Sequence, residues 1–173
     1  LSLYGQLAAG VPGTVDGMVK AHEKYGKLSW KELVQPAIDL AEKGFPITKQ
    51  QASEWTNKHV DFEKYNKVAN ALISRSIWNQ GDLLIQKDLA NTLKLVQQKG
   101  RNGFYSGKTA DLIVNEMKRG NGIITKKDLK NYQSVWRKPV SGAYKDYNVI
   151  SMPPPSSGGI ALVSLFQSID KYP

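Results

Sequence analysis

The chain has 173 residues, 40% of them hydrophobic and 23% charged, which is the composition of one globular domain and excludes intrinsic disorder. Its apolar runs are far shorter than the roughly 18 residues of a membrane-spanning helix, and the absence of Cys excludes disulfides, thiolate metal sites and a cysteine nucleophile. The formal net charge of +9 comes from 24 Lys and Arg spread along the chain, which favours a solvated basic surface over a nucleic-acid-binding patch.

The first predicted helix begins at Thr14 and ends at Gly26. Thr14 is a residue type that caps helices, and the helix dipole favours an anion such as Asp16 in the first turn. One apolar stripe recurs at helical spacing and consists of Val15, Met18, Val19 and His22. The pattern therefore predicts an amphipathic helix with one packed face.

Two capping boxes predict the next two helices. In Ser29–Glu32 and in Thr48–Gln51, the hydroxyl oxygen accepts the amide of the third helical residue, whose side chain reaches back to the cap amide. The first of these helices is expected to run to Gly44 and the second to about Lys58. Pro36 removes one helical hydrogen bond at a cost of about 3 kcal/mol, so a kink or a fresh helix start is expected there.

The stretch from 60 to 85 has a weaker pattern. An apolar face at helical spacing is formed by Val68, Ala69, Leu72 and Ile73. Residues 76–82 then have the composition of an exit turn, with Trp78 as an apolar anchor. We expect a helical stretch followed by this turn.

Three further helices follow with clear boundaries. One runs from Asp88 to a stop at Gly100, and the next covers Gly107 to Arg119 with Ala110, Ile113, Val114 and Met117 buried. Thr125 caps a short last helix that ends near Asn131.

Sheet is predicted only after residue 132, where β-favouring residues accumulate: Val135, Trp136, Val140, Tyr144, Tyr147, Val149 and Ile150. Two or three short antiparallel strands are expected, with turns near Ser141–Gly142 and Lys145–Asp146. A final helix is predicted from Gly158 to about Ile169. The fold class is therefore α+β, mostly helical, as a single segment with a helical region over 1–132 and strands, a Pro-rich turn and a final helix over 133–173.

The Pro-rich turn is the most unusual stretch and consists of Pro153, Pro154, Pro155, Ser156, Ser157, Gly158 and Gly159. Three prolines must end the preceding strand, either serine can cap the next helix, and the glycines allow close approach of another backbone. The free amides of that helix could hold a carboxylate or phosphate. A rigid elbow between strand and helix is the favoured interpretation, and Ile160–Ala161 in place of Lys-Ser/Thr excludes a phosphate loop.

No catalytic machinery is visible in the residues themselves. Neither a Gly-x-Ser-x-Gly elbow nor a His-Glu-x-x-His motif occurs, and His22 and His59 each lack a second ligand at metal-binding spacing. Carboxylate pairs such as Asp16 with Glu23 are interpreted as surface charge. The residues thus predict no catalytic, substrate-binding or metal site and no cofactor.

Several stretches together resemble one family, the gamma-glutamyltransferases, which are also called glutathione hydrolases. Order and spacing agree across nearly the whole chain. The matching stretches are Val11–Gly17, Leu33–Ala37, Ala41–Phe45, Gly81–Leu83, Asp88–Leu93, Gly103–Gly107, Ile124–Tyr132 and Met152–Gly159. The last of these is the most specific.

The resemblance implies an αββα N-terminal nucleophile hydrolase, made as a precursor that cleaves itself into a large and a small subunit. A new N-terminal threonine would attack the γ-glutamyl amide of glutathione and form an acyl-enzyme, which water or an acceptor amine or peptide would resolve. The chain resembles an interior piece of the large subunit only. Its partners would be the rest of that subunit, the small catalytic subunit and a small γ-glutamyl substrate, in the periplasm or outside the cell.

No catalytic residue is carried over by the resemblance, because the family's nucleophile lies in the small subunit. Thr14, Thr48 and Thr125 are explained by helix capping, and Pro153–Gly159 is expected to be a structural turn. The segment alone is expected to be inactive. Two interpretations stay open beside this one. The first is a cephalosporin or glutaryl acylase or poly-γ-glutamate-cleaving transpeptidase of the same superfamily. The second is a stand-alone basic binding module, which salt-sensitive retention on DNA or heparin would favour.

Overall fold

A computed structural model describes residues 3–66, 68, 70–170 and 172, and it divides into two compact units. Unit 1 is Leu1–Ser134 and unit 2 is Val135–Pro173. The described part is mostly helical with two short antiparallel strand pairs, which confirms the predicted fold class. No helix of the described residues is long and apolar enough to cross a membrane.

Unit 1 contains seven α-helices within its described residues. They are α1 Thr14–Tyr25, α2 Trp30–Lys43, α3 Lys49–Tyr65, α4 Lys87–Lys99, α5 Asn102–Tyr105, α6 Gly107–Arg119 and α7 Lys126–Asn131. Short 3-10 turns cover Gln6–Ala8 and Ala71–Ile73. The boundaries of α4, α6 and α7 lie within a residue of those predicted, because each has a clear start or stop signal in the sequence.

The two predicted capping boxes form: in Ser29–Glu32 and Thr48–Gln51 the hydroxyl accepts a hydrogen bond from the third helical amide, and the third side chain accepts one from the cap amide. Thr125 caps α7 as predicted, and with Asp128 it forms a third box. The prediction that Thr14 caps α1 is wrong. Thr14 is the first helical residue, and the cap position is Gly13, which has no side chain that could accept a hydrogen bond. Helix α2 continues through Pro36 without a fresh start.

The prediction that sheet occurs only after residue 132 is wrong. Strands β1 (Phe45–Pro46) and β2 (Leu83–Leu84) pair antiparallel, with Phe45 opposite Leu84. Backbone bonds extend the pairing, since the Ile47 amide donates to Asp82 O at 3.0 Å. Two-residue strands give no alternating pattern that a sequence window could detect.

The region between these strands differs from the prediction in its helix lengths. Helix α3 extends to Tyr65 rather than to Lys58, and a 3-10 turn replaces the expected helical face; Ala69 lies outside the described residues. Trp78 is the buried anchor that was predicted. Its indole N–H donates to Leu72 O at 3.2 Å and its backbone amide donates to Thr56 Oγ1 at 3.0 Å.

Two apolar clusters lie in the described part of unit 1, beside other buried apolar side chains such as Ile38 and Val96. One is formed by Tyr105, Ala110, Val114, Met117, Ile124 and Leu129. The other is formed by Ile47, Ala52, Trp78 and Leu84. The first cluster includes the face of α6 that the sequence predicts, with Ile113 packed against it. Burial of these side chains is the main stabilising term of the unit.

Unit 2 is a hairpin that packs on one helix. Strands β3 (Val140–Tyr144) and β4 (Tyr147–Ser151) pair antiparallel, and α8 covers Gly158–Ile169, as predicted. The turn at Lys145–Asp146 is confirmed, but the turn predicted near Ser141–Gly142 is wrong. Gly142 lies inside β3, where a Cβ would stand 2.6 Å from Val163 Cγ1 of α8, so this glycine serves helix packing instead.

Candidate functional site

The Pro-rich turn connects β4 to α8. Strand β4 ends at Ser151, residues 154 and 155 form a turn, and the Ser156 amide donates to Pro153 O at 3.2 Å. The Pro154–Pro155 peptide bond is cis. No proline in this turn has an N–H to extend the β3–β4 ladder, so the strand ends and the chain reverses toward α8.

The serines of the turn do not act as predicted. Ser157 occupies the cap position of α8, but its backbone is helical and its side chain makes no capping hydrogen bond. A serine caps through an extended backbone that aims its oxygen at the amides two and three residues on. Capping by Ser157 is therefore a wrong prediction, and Ser156 lies one residue too early to be the cap.

Gly159 is the residue of the turn with the tightest surroundings. A Cβ at this position would overlap the backbone carbonyl oxygen of Met152 and stand 3.2 Å from Ser151 Oγ. At Gly158 the nearest atom to such a Cβ is Ser156 Oγ at 3.6 Å, an ordinary contact. The close approach of another backbone thus depends on Gly159, which holds the first turn of α8 against the end of β4.

A second site, which the sequence analysis did not find, is centred on Asp16. Its side chain is buried at 1% exposure, which corrects its interpretation as surface charge. Arg101 Nε donates to Oδ1 at 2.6 Å, and the Ser134 amide and hydroxyl donate to Oδ2 at 2.7 and 2.6 Å. Lys20 Nζ lies 3.5 Å from Oδ2. Both carboxylate oxygens therefore face donors.

A shell of aromatic and backbone groups surrounds this carboxylate. Tyr105 is buried, with 1% exposure. Its hydroxyl donates a hydrogen bond to Pro12 O at 2.6 Å and accepts one from the Asp16 amide at 3.3 Å. Its ring stacks on Tyr132 with centroids 5.7 Å apart, and the Arg101 guanidinium lies 4.7 Å from the Tyr105 ring centroid. The Arg101 guanidinium thus packs against the face of a ring that is itself fixed by stacking and by hydrogen bonds.

The ionisation of Asp16 follows from these contacts. Burial alone raises the pKa of Asp16, but the hydrogen bonds from the Ser134 hydroxyl and amide, the bond from Arg101 and the charge of Lys20 outweigh burial and lower the pKa to about 2. Burial, as the largest cause, raises the pKa of the Tyr105 phenol. At neutral pH the centre is a buried carboxylate with a neutral phenol beside it.

This arrangement binds protein groups rather than a substrate. Both oxygens of Asp16 are occupied by Arg101 and Ser134, so neither is available to accept a proton from a reactant. The signal for the cluster is absent from local sequence because Arg101 is 85 residues away and Ser134 is 118 residues away. Asp16 is therefore a structural charge.

The histidines have protein partners within the described residues. His22 Nε2 lies 2.8 Å from Leu28 O and its ring packs on Trp30, while His59 Nε2 lies 3.2 Å from Glu63 Oε1. No group of three or more His, Asp or Glu in the part of the chain that the structure describes could hold a metal ion. His22 is thus a half-buried residue that contacts Leu28 and Trp30.

The chain is similar in structure to part of solved enzymes of the N-terminal nucleophile hydrolase class. The chain superimposes on a solved gamma-glutamyltranspeptidase from Helicobacter pylori with a TM-score of 0.92 and 43% identity, covering 100% of this chain and 50% of that one. A solved cephalosporin acylase from Bacillus halodurans matches with a TM-score of 0.88 and 25% identity, covering 99% of this chain and 33% of that one.

A family model described as gamma-glutamyltranspeptidase matches residues 1–173, so the chain belongs to the gamma-glutamyltranspeptidase family. A glutathione hydrolase proenzyme from Pseudomonas sp. strain A14 is 43% identical over 174 residues. That alignment covers 99% of this chain and 30% of the relative. The chain therefore spans about a third of the length of such precursors, and the family resemblance noted from the sequence is confirmed.

Proposed function

We propose that the chain is an interior segment of the large subunit of an enzyme that cleaves the γ-glutamyl amide of glutathione and related compounds. The observation that carries the proposal is the match over the whole chain to the family, with a TM-score of 0.92 to a solved gamma-glutamyltranspeptidase. The proenzyme name of the Pseudomonas relative supports a processed, two-subunit parent protein. Location in the periplasm or outside the cell belongs to the same proposal.

The reaction proposed for the parent protein is an acyl transfer. The hydroxyl oxygen of an N-terminal threonine outside this segment attacks the γ-glutamyl carbonyl, and the threonine's own α-amine takes up the hydroxyl proton. The C–N bond breaks, the amine of cysteinylglycine leaves with a proton, and the γ-glutamyl ester remains on the threonine. Water or the amine of an amino acid or peptide then attacks the ester and regenerates the hydroxyl.

In this proposal the segment supplies scaffold and no reacting group. Asp16 is fully occupied by protein donors, and the turn at Pro153–Gly159 carries no ionisable side chain. The role proposed for that turn is a structural one: it directs α8 back over the hairpin, with Gly159 against the Met152 carbonyl. The partners proposed are the remainder of the large subunit and the small catalytic subunit.

The test is hydrolysis of γ-glutamyl-p-nitroanilide by the parent protein and by the 173 residues alone. The parent protein is expected to release p-nitroaniline and to transfer the γ-glutamyl group to glycylglycine, while the segment alone gives the rate of buffer. Hydrolysis by the purified segment would contradict the assignment of the nucleophile to another part of the protein.

An acylase is the second candidate, because a solved cephalosporin acylase shares the fold of 99% of this chain. Side-by-side assays of the parent protein on glutathione and on glutaryl-cephalosporin separate the two. Glutathione is expected to be the better substrate by kcat/KM. A preference for glutaryl-cephalosporin would move the parent to the acylase branch and leave the fold and family unchanged.

A further inference from the structure

Eight residues at the end of unit 1 and the start of unit 2, 132–139, have neither helix nor strand. Residues in such a stretch have no ladder or helix to satisfy their backbone groups, which must bind side chains or water instead. The last residue of unit 1 is Ser134, and residues 135–139 are all exposed. The hydrogen bonds described below hold this stretch on unit 1 at Ser134 and at residues before it.

The backbone between α7 and Ser134 is held by charged side chains from distant elements. Arg101 Nη2 donates to Lys130 O at 3.0 Å and also to Tyr132 O. Lys20 Nζ donates to Ser134 O at 2.5 Å. The Ser134 amide donates to Asp16 Oδ2 at 2.7 Å. Four backbone groups over five residues thus bind three side chains from α1 and from the residue before α5.

Asp16 holds this set together. Its carboxylate binds Arg101 and Lys20, whose side chains donate to backbone carbonyls of residues 130–134, called the exit segment below. The carboxylate also binds Ser134 directly. Charge-assisted hydrogen bonds of this kind are shorter and stronger than neutral ones, and the Asp16 side chain is only 2% exposed, whereas Arg101 and Lys20 are partly exposed. Without the carboxylate, two cations would lie beside each other with no buried counter-charge.

We infer that Asp16 is a positioning residue that fixes the point at which the chain leaves unit 1 for unit 2. The exit clasp is defined as Asp16, Lys20, Arg101 and Ser134. It holds residues 130–134 on unit 1, so the conformation of the exit segment depends on an ion pair in α1 rather than on apolar packing of its own.

The test is hydrogen–deuterium exchange in the full protein that contains this chain, with Asp16→Asn as the variant. Asparagine has the same shape, but its NH2 group must replace one of two oxygens that both face donors. Within residues 132–138, the amides of Tyr132 and Ser134, which donate to Leu129 O and to Asp16, are expected to exchange at least about tenfold faster at the earliest labelling times, because these bonds open locally. Residues 110–117 of α6 are expected to stay protected at those times.

Asp111→Asn is the matched control, since it makes the same charge change at an exposed pair with Lys126 in unit 1. It is expected to leave exchange of 132–138 unchanged. Should Asp16→Asn fail to fold, Ser134→Ala is the second variant, because it removes only the 2.6 Å hydroxyl bond and keeps the amide bond. The exchange rate within 132–138 is then expected to increase about threefold.

Two results would overturn the inference. One is exchange of 132–138 at the wild-type rate in both Asp16→Asn and Ser134→Ala. The other is exchange of 132–138 only together with α6, which would show that Asp16 stabilises unit 1 as a whole and has no local hold on the exit segment. Neither result depends on the activity of the parent protein.

Discussion

Unit 1 and unit 2 bury their apolar residues to very different extents. In unit 1, Leu129 is fully buried and Tyr105 and Ile38 are each 1% exposed. In unit 2, Gly159 is the one residue among those described that is classed as buried, and Ile150, Met152, Ile160 and Leu165 are each at least half exposed. Helix α8 contains no charged residue from Gly158 to Ile169.

The difference shows that unit 1 has an apolar core of its own, whereas the described part of unit 2 leaves most of its apolar side chains exposed. A helix without charged residues and with many apolar ones is normally buried on more than one side. Within unit 2, α8 makes its packing contacts on one side, where Val163 meets Gly142 and Phe166 stacks on Tyr144 at 4.6 Å. Its other side is expected to pack in the parent protein. The four predictions below test this contrast, from the largest effect to the smallest.

Truncation of a core residue in unit 1 should have the largest effect. Leu129→Ala removes a fully buried side chain from the cluster around Tyr105 and leaves a cavity. We expect the free energy of unfolding to fall by about 2–5 kcal/mol, measured by urea denaturation of the chain. A loss below about 1 kcal/mol would mean that unit 1 lacks a tightly packed core.

The glycine pair at the start of α8 tests the turn with a built-in control. Gly159→Ala places a Cβ against the Met152 carbonyl and is expected to cost about 3 kcal/mol, since backbone must move. Gly158→Ala meets only Ser156 Oγ at 3.6 Å and should change the free energy of unfolding by less than about 0.5 kcal/mol. Equal effects of the two variants would contradict the packing described for Gly159.

Acid should weaken unit 1 through Asp16. The pKa of Asp16 in the folded chain is about 2, which lies below its ordinary value. The stabilisation that the ionised carboxylate contributes is therefore fully present above the ordinary pKa and is lost as the pH falls through the folded pKa. The expected loss is about 2 kcal/mol between about pH 5 and pH 1. The difference in unfolding free energy between wild type and Asp16→Asn should shrink over this window. A constant difference would show that the pKa of Asp16 is the same in the folded and the unfolded chain.

The smallest effect is expected on the outer side of α8. Leu165→Ser changes a side chain that is 55% exposed, so the free energy of unfolding of the chain alone should change by about 0.5 kcal/mol or less. In the parent protein the same variant should lower stability by more, because this face is expected to be covered there. An equally small effect in both would remove the reason to expect a partner on α8.

The sequence predicts local features of this fold well and long-range ones poorly. Capping at Ser29, Thr48 and Thr125 and the stop at Gly100 depend on residues at most a few positions apart, so a short window contains the whole signal. The pairing of Phe45 with Leu84 depends on a distant partner and was missed.

The candidate site shows the same limit. The Pro-rich turn is visible as a motif, and the structure then shows that Gly159, rather than a serine cap, determines its geometry. The sequence near Asp16 does not indicate whether its side chain is solvated or buried, because only the fold brings Arg101 and Ser134 to it. Its misinterpretation as surface charge follows from that.

The exit clasp also constrains which sequences can replace this one. Because both oxygens of Asp16 face donors, a family member that lost the carboxylate but kept the arginine would retain an unneutralised cation in a shielded site. We therefore expect the residues at positions 16, 101 and 134 to change together. Relatives with a small neutral residue at position 16 should also lack the arginine at 101 and the hydroxyl at 134, and their chains must leave the helical region by different contacts.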